Sequence, residues 1–308
     1  MPDRRNFLAA SLATAVAGGT AAAAEPPPIP IIDSHFHIYD QTRPQGAPFP
    51  FVPNQPPFLP KDFRASAVPL GIVGGIKVEA SPWVEDNLWV LMMIESEPMI
   101  VGMVGNLDPV KPEFREYLDR YRKNKLFLGI RYGNVWKEHN MVEAVHKPEF
   151  IDNMKAFADT GLTLEVANPR LDLTEAALRL SDKVPALRIV MGHQQALALP
   201  TDAQVLKTYE SNLRDLKSRG AFVKISGLYR AANTPAGTFP DYKPVMDFLW
   251  DIFGEDRAIF AGRNKTVLQI LRSYCDAKSA TAAEKYFWKN SVLAFRWTPR
   301  AANQPRLA

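Results

Sequence analysis

Pro30-Ile31-Ile32-Asp33-Ser34-His35-Phe36-His37 is the stretch on which the fold turns. It opens as a short apolar, β-branched run and closes on polar side chains, which is how a strand ending at a solvent-facing mouth reads. Seven further runs bounded by turn signals share this form: Gly74–Glu79, Ile100–Gly105, Phe127–Tyr132, Leu162–Ala167, Leu187–Met191, Phe222–Ser226 and Arg257–Ala261. Amphipathic stretches separate them. Glu85–Ser96, Pro112–Lys123, Phe150–Thr160, Leu173–Ser181, Ala203–Arg219 and Tyr242–Phe253 are each long enough to carry a crossover between parallel strands. Eight strand–helix units predict an α/β fold, a (β/α)8 TIM barrel, with an open doubly wound sheet as the alternative.

Composition agrees with one large globular unit. The chain has 308 residues, 46% hydrophobic and 23% charged, and is neither disordered nor fibrous in character. A net charge of +4 gathered in no basic run argues against nucleic acid as a partner. Cys275 is the single cysteine, so no intramolecular disulfide and no cysteine cluster for zinc can form.

Residues 1–24 read as a targeting segment rather than part of the fold. Arg4 and Arg5 precede Phe7 and Leu8, an Ala-rich run follows, and Ala22-Ala23-Ala24 supplies small residues for a signal peptidase. Asp3-Arg4-Arg5-Asn6-Phe7-Leu8 resembles a twin-arginine export signal. The expectation is export through the twin-arginine machinery to the periplasm, with residues 25–308 as a single barrel domain. No stable membrane association is expected after signal removal, because the Ala-, Gly- and Thr-rich run is weakly apolar for a spanning helix.

Nearly every predicted strand ends in a polar residue, and in a barrel those ends line the mouth. The first carries His35 and His37, the second Lys77 and Glu79, the third Asn106 and Asp108, the fourth Arg131 and Tyr132. Glu165 and Asn168 end the fifth, His193 follows the sixth, Lys224 and Ser226 end the seventh, and Arg263 with Asn264 follows the eighth. His35 and His37 alternate with Phe36, so at strand spacing both imidazoles face one side. Two ligands to one metal, or two donors to one substrate carbonyl, need that arrangement, and His193 is placed to complete the set. His139 and His146 read as surface residues in a loop. After the first strand, Pro44, Pro48, Pro50, Pro53, Pro56, Pro57 and Pro60, interspersed with Phe49, Phe51 and Phe58, predict a stiff apolar loop. It serves either as a wall of the mouth or as rim packing.

With those residues in place, the chain from Ile31 to about Asn290 resembles the amidohydrolase superfamily. The closer likeness is to its amidohydrolase-related branch of sugar-acid lactonases, 2-pyrone-4,6-dicarboxylate lactonase and metal-dependent decarboxylases. Ile32-Asp33-Ser34-His35-Phe36-His37, Leu128-Gly129-Ile130-Arg131, Met191-Gly192-His193, Val223-Lys224-Ile225-Ser226-Gly227 and Phe253-Gly254-Glu255-Asp256-Arg257 carry it. The resemblance implies a (β/α)8 barrel and hydrolysis at a carbonyl carbon. It also marks a departure: where the family commonly ends its eighth strand on an aspartate that binds metal or acts as general base, this chain has Asn264. A carboxamide positions a water but cannot take its proton.

The resulting expectation is hydrolysis of a small carboxylate or sugar-acid lactone. His35, His37 and His193 would bind one divalent metal, zinc or manganese, or polarise the carbonyl directly without metal. Arg131, and with it Lys224 or Arg263, would hold the substrate's anionic or hydroxyl groups, the last two having a salt-bridge role as the alternative. Glu79 or Glu165 would replace the missing aspartate as general base. A metal-dependent non-oxidative decarboxylase and a non-catalytic ligand-binding paralogue are the rival readings. The tryptophans suit a pocket wall or a homo-oligomer interface equally.

Overall fold

A computed structural model describes residues 28–167, 170–192, 199–225 and 238–307. Eight strands follow one another around a single parallel sheet: β1 (Ile31–Phe36), β2 (Ile72–Val78), β3 (Ile100–Gly105), β4 (Phe127–Tyr132), β5 (Thr163–Val166), β6 (Arg188–Met191), β7 (Phe222–Ile225) and β8 (Ala258–Phe260). The helices between and after them are α1 (Pro60–Ala67), α2 (Glu85–Glu95), α3 (Phe114–Tyr121), α4 (Met141–Ala144), α5 (Pro148–Asp159), α6 (Leu171–Lys183), α7 (Ala203–Ser218), α8 (Phe239–Phe253), α9 (Lys265–Asp276), α10 (Ala280–Glu284) and α11 (Asn290–Phe295). Strand order equals chain order, so the expected (β/α)8 barrel is the observed architecture. The proposed export segment lies outside the described residues. No described helix is long and apolar enough to cross a membrane.

Two apolar shells hold the barrel. Ile32, Ile76, Val78, Val101, Val104, Leu128, Val190, Phe222 and Ile259 fill its interior, and Trp288, Phe295 and Trp297 plug it at the N-terminal end. A larger shell packs the helices on the outside, with Phe36 stacked on Phe63 of α1 at 3.8 Å between ring centres. Gly75 makes that approach possible, since a Cβ there would stand 2.3 Å from the Phe63 ring.

Ladder pairing runs from β1 to β8, and the seam between β8 and β1 is joined through side chains. The Ser34 hydroxyl donates to Phe260 O at 2.6 Å, and the Gly262 N–H donates to Asp33 Oδ1 at 2.8 Å. The strand bearing the histidines is therefore clamped to the last strand by its own polar residues.

The proline-rich loop is anchored rather than loose. Tyr39 and Phe58 form an antiparallel bridge, and Gln41 Nε2 donates to Pro50 O at 2.8 Å. Arg43 pairs with Asp86 of α2 at 2.9 Å and lies 3.9 Å over the Trp89 ring.

Candidate active site

His35 and His37 bring their Nε2 atoms to 3.4 Å from one another at the C-terminal end of β1. Each ring is aimed from behind. His37 Nδ1 lies 3.1 Å from Val78 O, an acceptor only, so that nitrogen carries the proton. His35 Nδ1 lies 3.3 Å from Glu165 Oε1. His37 is thereby the tautomer whose Nε2 lone pair faces the mouth, and the Nε2 atoms of both rings converge on one region of it.

Behind Glu165 stands Lys224. Its ammonium is wholly buried, donates to Glu165 Oε2 at 2.5 Å and to Ser34 O at 2.7 Å, and lies 5.1 Å over the Phe295 ring. Burial lowers the Lys224 pKa, against the pull of Glu165, which raises it. The expected substrate-binding role does not fit this placement, because both of its hydrogen bonds are internal and no part of it reaches the mouth. Glu165, expected as a general base, is fully buried, ion-paired with Lys224 and 3.3 Å from His35 Nδ1.

Glu79 is held by three donors. Arg131 Nε lies 2.6 Å from Oε1, Trp136 Nε1 lies 2.8 Å from Oε2, and the Ser81 N–H lies 3.0 Å from Oε2. Arg131 Nη2 also donates to Glu79 O at 3.2 Å, which leaves Nη1 without a described protein acceptor. The substrate grip expected of Arg131 is thus largely an internal one. Trp136 completes this cluster; the sequence marks it, with Trp83 and Trp89, only as suited to a pocket or an interface, and its bond to Glu79 takes the pocket alternative.

Arg263 takes the salt-bridge alternative. Its Nη1 donates to Asp33 Oδ2 at 2.9 Å, and the guanidinium lies within 5.1 to 5.4 Å of the Phe58, Phe36 and Phe63 rings. Asn264 caps α9, its side-chain oxygen accepting from the Val267 N–H at 3.1 Å. His139 corrects the surface assignment: it is buried and stacks on Tyr132 at 5.0 Å, and burial lowers its pKa. His146 is exposed, as expected. His193, Asn168 and Ser226 lie outside the described residues, and among the described ones no group of three His, Cys, Asp or Glu side chains forms a metal-binding cluster.

Aromatic rings of the proline-rich loop cross the mouth. His37 lies 4.6 Å from Phe49, Phe49 lies 5.9 Å from Phe51, and Phe51 lies 5.8 Å from Trp136. The loop therefore forms a wall between the histidines and the Glu79 cluster.

A barrel with paired histidines on its first strand and charged groups at the other strand ends defines the class of amidohydrolase-like barrel proteins. The family profile described as amidohydrolase matches residues 32–262, and the chain belongs to that family, whose members are enzymes. No curated protein sequence matches it. Among solved structures it is similar to an amidohydrolase from Burkholderia multivorans (TM-score 0.73, 17% identity, 87% of this chain and 99% of that one), also crystallised with zinc. It is similar to a probable 2-pyrone-4,6-dicarboxylic acid hydrolase from Acinetobacter baumannii with citric acid bound (TM-score 0.67, 14% identity, 87% and 99%). A 5-carboxyvanillate decarboxylase from Novosphingobium aromaticivorans complexed with manganese shares the fold at TM-score 0.55 and 20% identity, over 76% of this chain and 79% of that one.

Proposed function

We propose that the protein hydrolyses a small carboxylate or sugar-acid lactone at the barrel mouth, with His35, His37 and His193 holding one divalent ion, zinc or manganese. The His35–His37 geometry carries this reading. Two nitrogens bound to one tetrahedral ion at about 2.0–2.1 Å stand roughly 3.4 Å apart, and the observed Nε2 separation is 3.4 Å. A carboxylate behind one ring and a backbone carbonyl behind the other are the supports that metal-binding histidines use. Relatives crystallised with zinc and with manganese support the same donor chemistry. When bound, such an ion supplies Lewis-acid polarisation of a carbonyl and a more acidic water.

This chain's own residues do the rest. Glu165, braced by Lys224, keeps His35 in one tautomer and one orientation, a positioning role. Arg131 Nη1 is the donor left to meet a substrate carboxylate. Phe49, Phe51 and Trp136 form an apolar wall that sheds water from the bound ring. Asn264 orients a water without deprotonating it, so the proton passes to Glu79, which must partly give up its three hydrogen bonds to receive it.

Purified protein is assayed for metal content and for turnover of an aldonolactone panel. Near-stoichiometric zinc or manganese, acid release, and loss of both in His35→Ala support the reading. Carbon dioxide release from an aromatic carboxylate would replace it with decarboxylation; unimpaired hydrolysis by His35→Ala would overturn the site. Residues 1–24 belong to the same proposal as a twin-arginine export signal to the periplasm. Finding Met1 or Arg4 at the N-terminus of exported protein would refute cleavage.

A further inference from the structure

At the end of the barrel opposite the histidines, the turns entering β6, β7 and β8 and one side of α11 enclose an open cavity of about 1000 Å³. Two arginines on its wall have no carboxylate partner among the described residues. Arg188, at the first position of β6, donates from Nη2 to Leu293 O and to Ala294 O at 3.0 Å, while its Nε is buried without any hydrogen-bond partner. Arg257, just before β8, lies 4.6 Å over the Phe222 ring and donates to Gly220 O at 3.2 Å.

Every carboxylate lining this cavity is already engaged elsewhere. Asp251 pairs with Arg214 at 2.5 Å, and Asp256 pairs with Lys285 at 2.7 Å. Arg219, the other arginine of the wall, pairs with Asp182 and with Asp215 at 3.4 Å. Arg188 has the opposite environment: burial, Arg296 and Arg257 all disfavour its charged form. Arg188 and Arg257 have no carboxylate of their own among the described residues, and an anion between them would offset their mutual repulsion.

We propose that this cavity is an anion-binding site for a small organic polyanion. Its phosphate or clustered carboxylates would sit between Arg188 and Arg257, with its carbon body against the apolar floor formed by Phe222 and Ile189. Guanidinium forks accept either oxyanion in bidentate fashion, and a partly desolvated site strengthens the pairing. The site is separate from the mouth, so its occupancy does not require turnover.

Isothermal titration of the intact protein with 3-phosphoglycerate and, separately, tricarballylate tests it and tells the two oxyanion sources apart. Binding of at least one probe, weakened by added salt, weakened about tenfold or more in Arg257→Gln and unchanged in His35→Ala, is the expected result. Ala186→Glu provides a second variant should Arg257→Gln unfold: it sets a carboxylate on the cavity wall from an exposed position and is expected to abolish binding without lowering the melting temperature. Failure of both probes to bind at about 10 mM overturns the proposal. Equal binding by wild type and Ala186→Glu, or loss of binding in His35→Ala, also overturns it.

Discussion

Lys224 and Glu165 form an ion pair, 2.5 Å long, from which water is completely excluded. It is the rear support of His35, and its two partners lie on strands β7 and β5 with β6 between them. Neither charge has solvent to fall back on. Lys224→Met is expected to destabilise the protein by about 3–5 kcal/mol, because it strands Glu165 as a buried charge. The double variant Lys224→Met/Glu165→Gln should recover a large part of that loss. Urea denaturation of the four proteins of the cycle measures the coupling, and additivity would rule out the pairing.

Lys77 predicts an alkaline rise in stability. It is 3% exposed, and burial pushes its pKa down to about 8 from an ordinary 10.5. Below about 8 the lysine is protonated in both folded and unfolded chains, and the penalty for burying the charge is fully present. Between about 8 and 10.5 the folded chain has released the proton that the unfolded chain still holds, so stability climbs with pH. The gap corresponds to about 3 kcal/mol. Lys77→Met should raise stability at pH 7 by up to that amount and flatten the rise, read from denaturation midpoints at pH 7, 9 and 10.

Trp136→Phe keeps the ring and removes one of the three donors on Glu79. Loss of a hydrogen bond to a charged group costs about 1.5–3 kcal/mol. A melting temperature unchanged from wild type would show that the indole N–H does not support Glu79.

Phe51 is 71% exposed, so Phe51→Ala should leave stability within about 0.5 kcal/mol. If the loop is a wall of the substrate site, the same variant raises KM several-fold with a smaller change in kcat. An unaltered KM would assign the loop to rim packing.

Asn264→Asp should fold normally, since aspartate caps a helix as well as asparagine. A carboxylate beside the mouth restores a proton acceptor, and general-base help is typically worth about 10²–10⁴-fold. Steady-state lactone hydrolysis at neutral pH is expected to rise by about 10²-fold. An unchanged rate would show that proton removal by this position does not limit turnover.

Much of the fold could be read from the chain because buried parallel strands are short, apolar and closed by polar ends. Ile100–Gly105 and Phe127–Tyr132 lie where their composition places them, and β8 is only shorter than its apolar run. The site was partly legible. Alternation around Phe36 placed both imidazoles together even though the β1 ladder shifts register between Asp33 and Phe36. Polar residues inside strands were recognisable as special, but not their partners. Nothing local in Thr163-Leu164-Glu165-Val166 says that Glu165 meets Lys224 and His35 rather than substrate, since those contacts span 59 and 130 positions of chain. His139 misled for the same reason: its polar loop neighbours hide the stacking partner on β4.

The side-chain seam at Ser34 and Asp33 ties the strand that carries the histidines to the far end of the chain. During synthesis β1 emerges first, yet the acceptor for its Ser34 hydroxyl comes 226 residues later. Closing a loop of that length costs more chain entropy than closing a local one. The histidine-bearing strand and the last strand are thus one mechanical unit, so a change that loosens the C-terminal strand is expected to displace both imidazoles.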